Sequence, residues 1–215
     1  MLSSLSVLVL GFILGMRHAT DADHVVAVTT IISQQRSVAR AAGIGALWGA
    51  GHTVTIVLVG GAILLFRIVV PARLGLAMEF AVAVMLVLLG LRSLRAASSG
   101  HQAAGWNPVR PVVVGFVHGL AGSAFVAMLV LTAIESAAIG VAYLLVFGVG
   151  TIAGMTLITA AIAVPSAYAT ARVTGAQRYV QLAAGVASVC FGLLLAHRIG
   201  VTDGLFAATP HWTPQ

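Results

Sequence analysis

Four ionisable side chains crowd one short stretch of an otherwise apolar segment. They are His18, Asp21, Asp23 and His24, within Arg17-His18-Ala19-Thr20-Asp21-Ala22-Asp23-His24. Residues 6–16 before it and 25–32 after it are apolar. At membrane depth such groups cost several kcal/mol unless they pair, line water or bind an ion. The chain has five acidic residues, and two of them are here. Imidazole with carboxylate suits nickel, cobalt or zinc; oxygen-only sets suit magnesium or calcium, and soft copper(I) wants thiols. On an ideal helix His18, Asp21 and His24 share an arc of about 120°, while Asp23 faces elsewhere. Either Asp21 is the inner ligand, or the backbone unwinds here, as helices broken inside a membrane do. The plain alternative is a salt-bridge network in which Arg17 pairs Asp21, which leaves both histidines unexplained.

A further ligand is sought at matching depth. Counting about 1.5 Å per residue from the ends of the apolar runs puts His24 about 12 Å deep and His52 about 13 Å deep. His52 follows Gly49-Ala50-Gly51, and small residues let helices approach closely. The competing reading is a histidine bonded to a backbone carbonyl. His118 lies about 10 Å into its own run and is a candidate for the site or for a relay. Ser123 and Thr151 offer oxygens, although hydroxyls in spans often bond their own helix. Glu79, Glu135 and His197 lie near run ends, and His101 and His211 lie in a link and in the tail.

These groups need a scaffold that holds them in the membrane. The chain has 215 residues, of which 60% are hydrophobic and 7% charged, against roughly 25% charged in soluble domains. Six apolar runs cover about 4–32, 43–66, 75–94, 111–133, 138–162 and 179–197, and most reach the ~20 residues that cross a bilayer. The expected fold is all-α: a polytopic membrane protein of six transmembrane helices. Cys190 is the single cysteine and forms no internal disulfide. The net charge of +6 comes from eleven arginines and no lysine. Their place between the runs points to topology rather than to nucleic acid. Arg36, Arg40, Arg92, Arg95, Arg110, Arg172 and Arg178 fall in odd links, against Arg67, Arg73 and Arg198 in the others. By the positive-inside rule the odd links are cytoplasmic and both termini face outward. The N-terminal run does not read as a cleaved signal, since no basic residue precedes it.

The halves look alike. Gly11-Phe12-Ile13-Leu14-Gly15 matches Gly115-Phe116-Val117-His118-Gly119, Trp48-Gly49-Ala50-Gly51-His52 matches Phe147-Gly148-Val149-Gly150-Thr151, and Gly90-Leu91 matches Gly192-Leu193, at offsets of 104, 99 and 102 residues. A repeated three-span unit inserts its second copy upside down, which places a site near the midplane between halves. The expected division is residues 1–97 as a first three-helix repeat, 98–110 as a cytoplasmic linker, 111–198 as a second repeat and 199–215 as a polar, mobile C-terminal tail.

The stretch Arg17-His18-Ala19-Thr20-Asp21-Ala22-Asp23-His24 resembles the hallmark of the nickel/cobalt transporter family, and Gly51-His52 matches that family's element in the following span. The resemblance covers about the first quarter of the chain. It implies that His18, Asp21, Asp23, His24 and His52 hold a divalent nickel or cobalt ion in transit. Arg17, His118, Ser123 and Thr151 then lie in a second shell or along the pathway. Later aspartate motifs of larger, eight-span members are missing, and the chain is closer in size to compact six-span nickel permeases linked to urease or hydrogenase supply. The implied function is secondary transport across the bacterial cytoplasmic membrane, in the uptake direction, with no permanently bound cofactor. No nucleotide-binding loop is present. Ligand histidines must be neutral to hold metal, so uptake should fall below about pH 6.5. Efflux by a relative of the same superfamily is the alternative direction. An intramembrane serine protease using Ser123 and His197 is the enzyme alternative, and a non-transporting metal sensor is a third. A homo-oligomer is compatible with the sequence.

Overall fold

The computed structural model describes residues 4–35, 37–67, 70–99, 107–120, 136–173 and 175–212. Among these residues the chain is all-helical, with seven α-helices and no strand. They are α1 (Ser4–His18), α2 (Ala22–Ile32), α3 (Val38–Phe66), α4 (Ala72–Ser99), α5 (Val109–Gly119), α6 (Ala137–Arg172) and α7 (Ala176–His197), the last continued by a π-turn over Arg198–Thr202.

The first apolar run is broken, in keeping with an unwound backbone at the motif. α1 and α2 meet at a 55° bend. Thr20 closes a tight turn by donating its N–H and its hydroxyl to the Arg17 carbonyl, at 2.8 and 2.6 Å. Asp21 then stands at the N-cap of α2 in extended conformation, with Asp23 in the first turn. Acidic residues suit a helix N-terminus, where free N–H groups and the helix dipole favour negative charge. The Asp21 carboxylate caps no backbone group; it is turned to a side chain instead.

Four helical stretches (α3, α4, α6 and α7 with its π-turn) are long and apolar enough to cross a membrane, and α1 with α2 makes a fifth if the bent pair is one span. The expected fourth span, over 111–133, is described only as the 11-residue α5, and 121–135 lie outside the described residues. α6 is longer than its apolar run suggests. It continues through Pro165 to Arg172, because a proline removes one hydrogen bond yet is tolerated where neighbouring helices hold the bundle. The 98–110 link is shorter than expected, since α4 runs to Ser99 and α5 starts at Val109.

α1 packs on α6, α5 on α3, α3 on α6 and α4 on α7, with α2 lying against α4 and α7. Glycines set these approaches by letting backbones touch. The contacts come in exchanged pairs. A Cβ on Gly15 would strike the Phe147 carbonyl, and one on Gly115 the Trp48 carbonyl. Gly150 lies against Phe12, and Gly51 against Val112; Gly49 lies against Ile152, and Gly148 against Thr53; Gly90 lies against Val189, and Gly192 against Val87. This exchange aligns Gly115 with Gly15, one helical turn away from the Gly11 match read in the sequence.

The tail is docked rather than loose. Arg73 donates to the Ala207 and Ala208 carbonyls at 3.1 and 3.2 Å. The Phe206 ring meets Phe80 edge-on, 5.7 Å away. Trp212 nests over Gly75 and donates its Nε1–H to Glu79 at 2.8 Å. Glu79 therefore has a specific partner, and residues 203–212 are pinned to the start of α4.

Candidate metal centre

The bend between α1 and α2 aims the polar stretch into the bundle, where α3 and α5 bring two more histidines. His18, His24, His52 and His118 are all buried, the last two with no exposed surface. Their rings form one cluster. The centroids of His24 lie 4.2 Å from His118, 4.6 Å from His18 and 5.1 Å from His52. His18 and His52 face each other, with Nε2 atoms 2.9 Å apart. The depth match between His52 and the motif thus corresponds to direct contact, and His52 does not bond a backbone carbonyl.

The carboxylates orient the rings. His18 Nδ1 lies 2.8 Å from Asp21 Oδ2. Asp23 serves two rings: Oδ1 lies 3.1 Å from His24 Nδ1 and Oδ2 lies 2.9 Å from His118 Nε2. Asp23 Oδ1 also accepts the His24 backbone N–H at 3.0 Å. The single-helix arc that sent Asp23 away from the other three fails because the helix ends at His18 and a new one begins at Ala22. A carboxylate on one ring nitrogen fixes the tautomer and leaves the other nitrogen's lone pair free for a cation. His24 is held in this way; His18 is braced by Asp21 at Nδ1, while its Nε2 faces His52 Nε2.

Several ring nitrogens remain unmatched. His24 Nε2, His52 Nδ1 and His118 Nδ1 are buried without a hydrogen-bond partner. A buried unmatched polar atom costs about 1–3 kcal/mol, a cost that a bound cation would remove. Two groups of donor atoms, His18 with His24 and His52, and Asp23 with His24 and His118, each lie within 4.8 Å of one another.

The remaining candidates sort by position. Arg17 is exposed and forms no ion pair among the described residues; Asp21 is engaged by His18, so the Arg17–Asp21 network is not what forms. Thr151 is fully buried and gives its hydroxyl to its own helix, to the Phe147 carbonyl at 3.0 Å. The Phe147 ring lies 5.7 Å from His18, and no hydrogen bond joins Thr151 to the cluster among the described residues. Ser123 lies outside the described residues, as do Glu135 and His101. His197 is exposed at the end of α7.

Trp48 is the participant that sequence reasoning passes over. It is buried, stacks on His24 at 5.7 Å and meets His118 edge-on at 5.5 Å. Its place four residues before His52 on α3 was the available signal, since residues i and i+4 share a helix face.

The chain is 33% identical to "Urease accessory protein UreH" of Bacillus sp. (strain TB-90) over 218 residues, covering 94% of this chain and 95% of that protein. It belongs to the UreH family of urease accessory proteins. The alignment runs through nearly the whole length of both chains. With its long apolar helices, this UreH-family chain is a multi-pass membrane protein. No protein-family model and no solved structure matches it.

Proposed function

We propose that this UreH-family protein is a nickel carrier rather than an enzyme, taking up divalent nickel, or cobalt, for urease through the buried centre formed by His18, Asp21, Asp23, His24 and His52. The observation that carries the proposal is the convergence of three buried imidazoles with donor atoms within 4.8 Å, two of them braced by carboxylates. Nickel and cobalt are borderline cations that take imidazole and carboxylate well. A urease accessory protein as relative gives such an ion a use, since the name ties that relative to urease.

The carrier has six spans in two inverted three-helix repeats, with both termini outside. The exchanged glycine contacts support the repeat, because two copies related by a twofold axis must contact each other reciprocally. The break at residues 19–21 supports a site near the midplane, where unwound segments line a cavity. An incoming ion exchanges its waters for the imidazoles while the halves rock about the site. The inward membrane potential contributes about 2.3 kcal/mol per charge per 100 mV.

The test is uptake of radioactive nickel by cells expressing wild type or His24→Ala, with cobalt as competitor. Loss of uptake by tenfold or more, at unchanged membrane abundance, is the expected result. Wild-type uptake by the variant would overturn the proposal, and accumulation in everted rather than right-side-out vesicles would reverse its direction.

A further inference from the structure

We propose that the ion has two successive positions that share His24, one completed by His18 and His52 and the other by Asp23 and His118. This rests on the carrier reading and extends it by giving His118 a ligand role.

The two donor groups overlap only at His24. Metal–nitrogen bonds of about 2.1 Å place even opposite donors on one ion about 4.2 Å apart. One ion therefore satisfies either group with a small contraction. The order of the rings agrees: His24 is 4.2 Å from His118 and 4.6 Å from His18, whereas His52 and His118 are 6.0 Å apart. His24 stands between the two positions. It also holds the unmatched nitrogen Nε2, while His52 Nδ1 and His118 Nδ1 are the unmatched atoms on either side.

The second observation is symmetry. α1 ends at His18 and α5 ends one residue past His118. The paired contacts of Gly15 with Phe147 and Gly115 with Trp48 put the two histidines in corresponding places in the two halves. A carrier that opens alternately to each side needs an outgoing partner for the ion when the incoming one lets go. Corresponding histidines on opposite halves provide it, and His24 keeps one bond throughout, so the ion is never bare in the bilayer. The positions differ in charge. The first is three neutral imidazoles; the second includes the Asp23 carboxylate and holds a divalent cation more strongly.

The full-length protein in nanodiscs, titrated with cobalt(II) as the spectroscopic metal, tests this. His118→Ala and His52→Ala should each retain one cobalt, at affinity lowered ten- to a hundredfold, with different visible spectra because one retains the all-imidazole set and the other the set with the carboxylate. The double variant should lose binding altogether. Proteoliposome uptake should fall at least tenfold in each single variant. His118→Gln, which keeps a polar group of similar length, guards against loss through misfolding and should show the same deficit. Wild-type uptake by His118→Ala and His118→Gln would overturn the proposal, as would complete loss of binding in His52→Ala alone. Cobalt bound in the expected pattern without any flux through the wild type would sink the carrier reading and leave the two positions standing.

Discussion

Two helices stop at or just past a histidine inside this bundle, and they hand the chain on to different residues. After His18 come Asp21 and Asp23, one on His18 itself and the other reaching across to His24 and His118. After His118 come Gly119 and Leu120, and the carboxylate that His118 bonds belongs to the other half. Glycine contacts recur on both sides, Gly15 against Phe147 and Gly115 against Trp48, but charge does not. The lesson is that two similar helix ends can present a histidine each while one stretch of chain supplies the carboxylates for both. Carboxylates at membrane depth are costly, and one pair held by the rings is enough.

The sharpest way to break that comparison is Asp23→Asn. Asp23 uses both oxygens, one toward each of two rings, and an amide has only one oxygen to accept with. The substitution should weaken cobalt binding about a hundredfold, the upper end for loss of a carboxylate that orients ligand rings, because Asp23 also completes the second position, and should abolish detectable uptake. Unchanged binding by calorimetry would mean that the two halves do not depend on one carboxylate.

The next effect is smaller for a stated reason. Asp21 contacts His18 alone and is partly open to solvent. In Asp21→Asn the remaining oxygen still accepts from His18 Nδ1, so the expected loss in affinity is about tenfold or less. An effect equal to that of Asp23→Asn would make Asp21 a direct ligand, the option that the sequence leaves open.

The same contrast shows what a sequence can and cannot tell. The motif at residues 17–24 is readable because ionisable groups in an apolar run have few bland explanations, and His52 is readable because depth along a helix is arithmetic. The helix break is half readable: one helix cannot aim all four side chains inward, but nothing in the pattern says whether the chain bends. The correspondence proposed above for His18 and His118 is hidden by the glycines. Gly11 and Gly15 are one turn apart, as are Gly115 and Gly119, so a slip of one turn still matches glycine to glycine. Only the backbone contacts decide the register. Trp48 is hidden because an aromatic residue in an apolar helix is ordinarily core. The docking of residues 203–212 is hidden because its anchor, a ring over Gly75, depends on the absence of a side chain far away in the sequence.

That tail marks the other end of the comparison, a place where polar and aromatic contacts serve packing rather than ion chemistry. Trp212 is only half-buried, over Gly75, and its Nε1–H goes to Glu79. Arg73 and the Phe80–Phe206 pair hold the rest of the segment. Removing the ring in Trp212→Ala should cost about 2 kcal/mol, roughly half the penalty for a fully buried tryptophan, and should lower the unfolding temperature in detergent. Uptake per folded molecule should stay within about twofold of wild type, because the remaining anchors keep α4 in place and the histidine cluster draws on α1, α2, α3 and α5. A large loss of uptake with unchanged stability would instead make the Glu79 carboxylate part of the route the ion takes, and the boundary between a packing end and a chemical centre would have to move outward to include it.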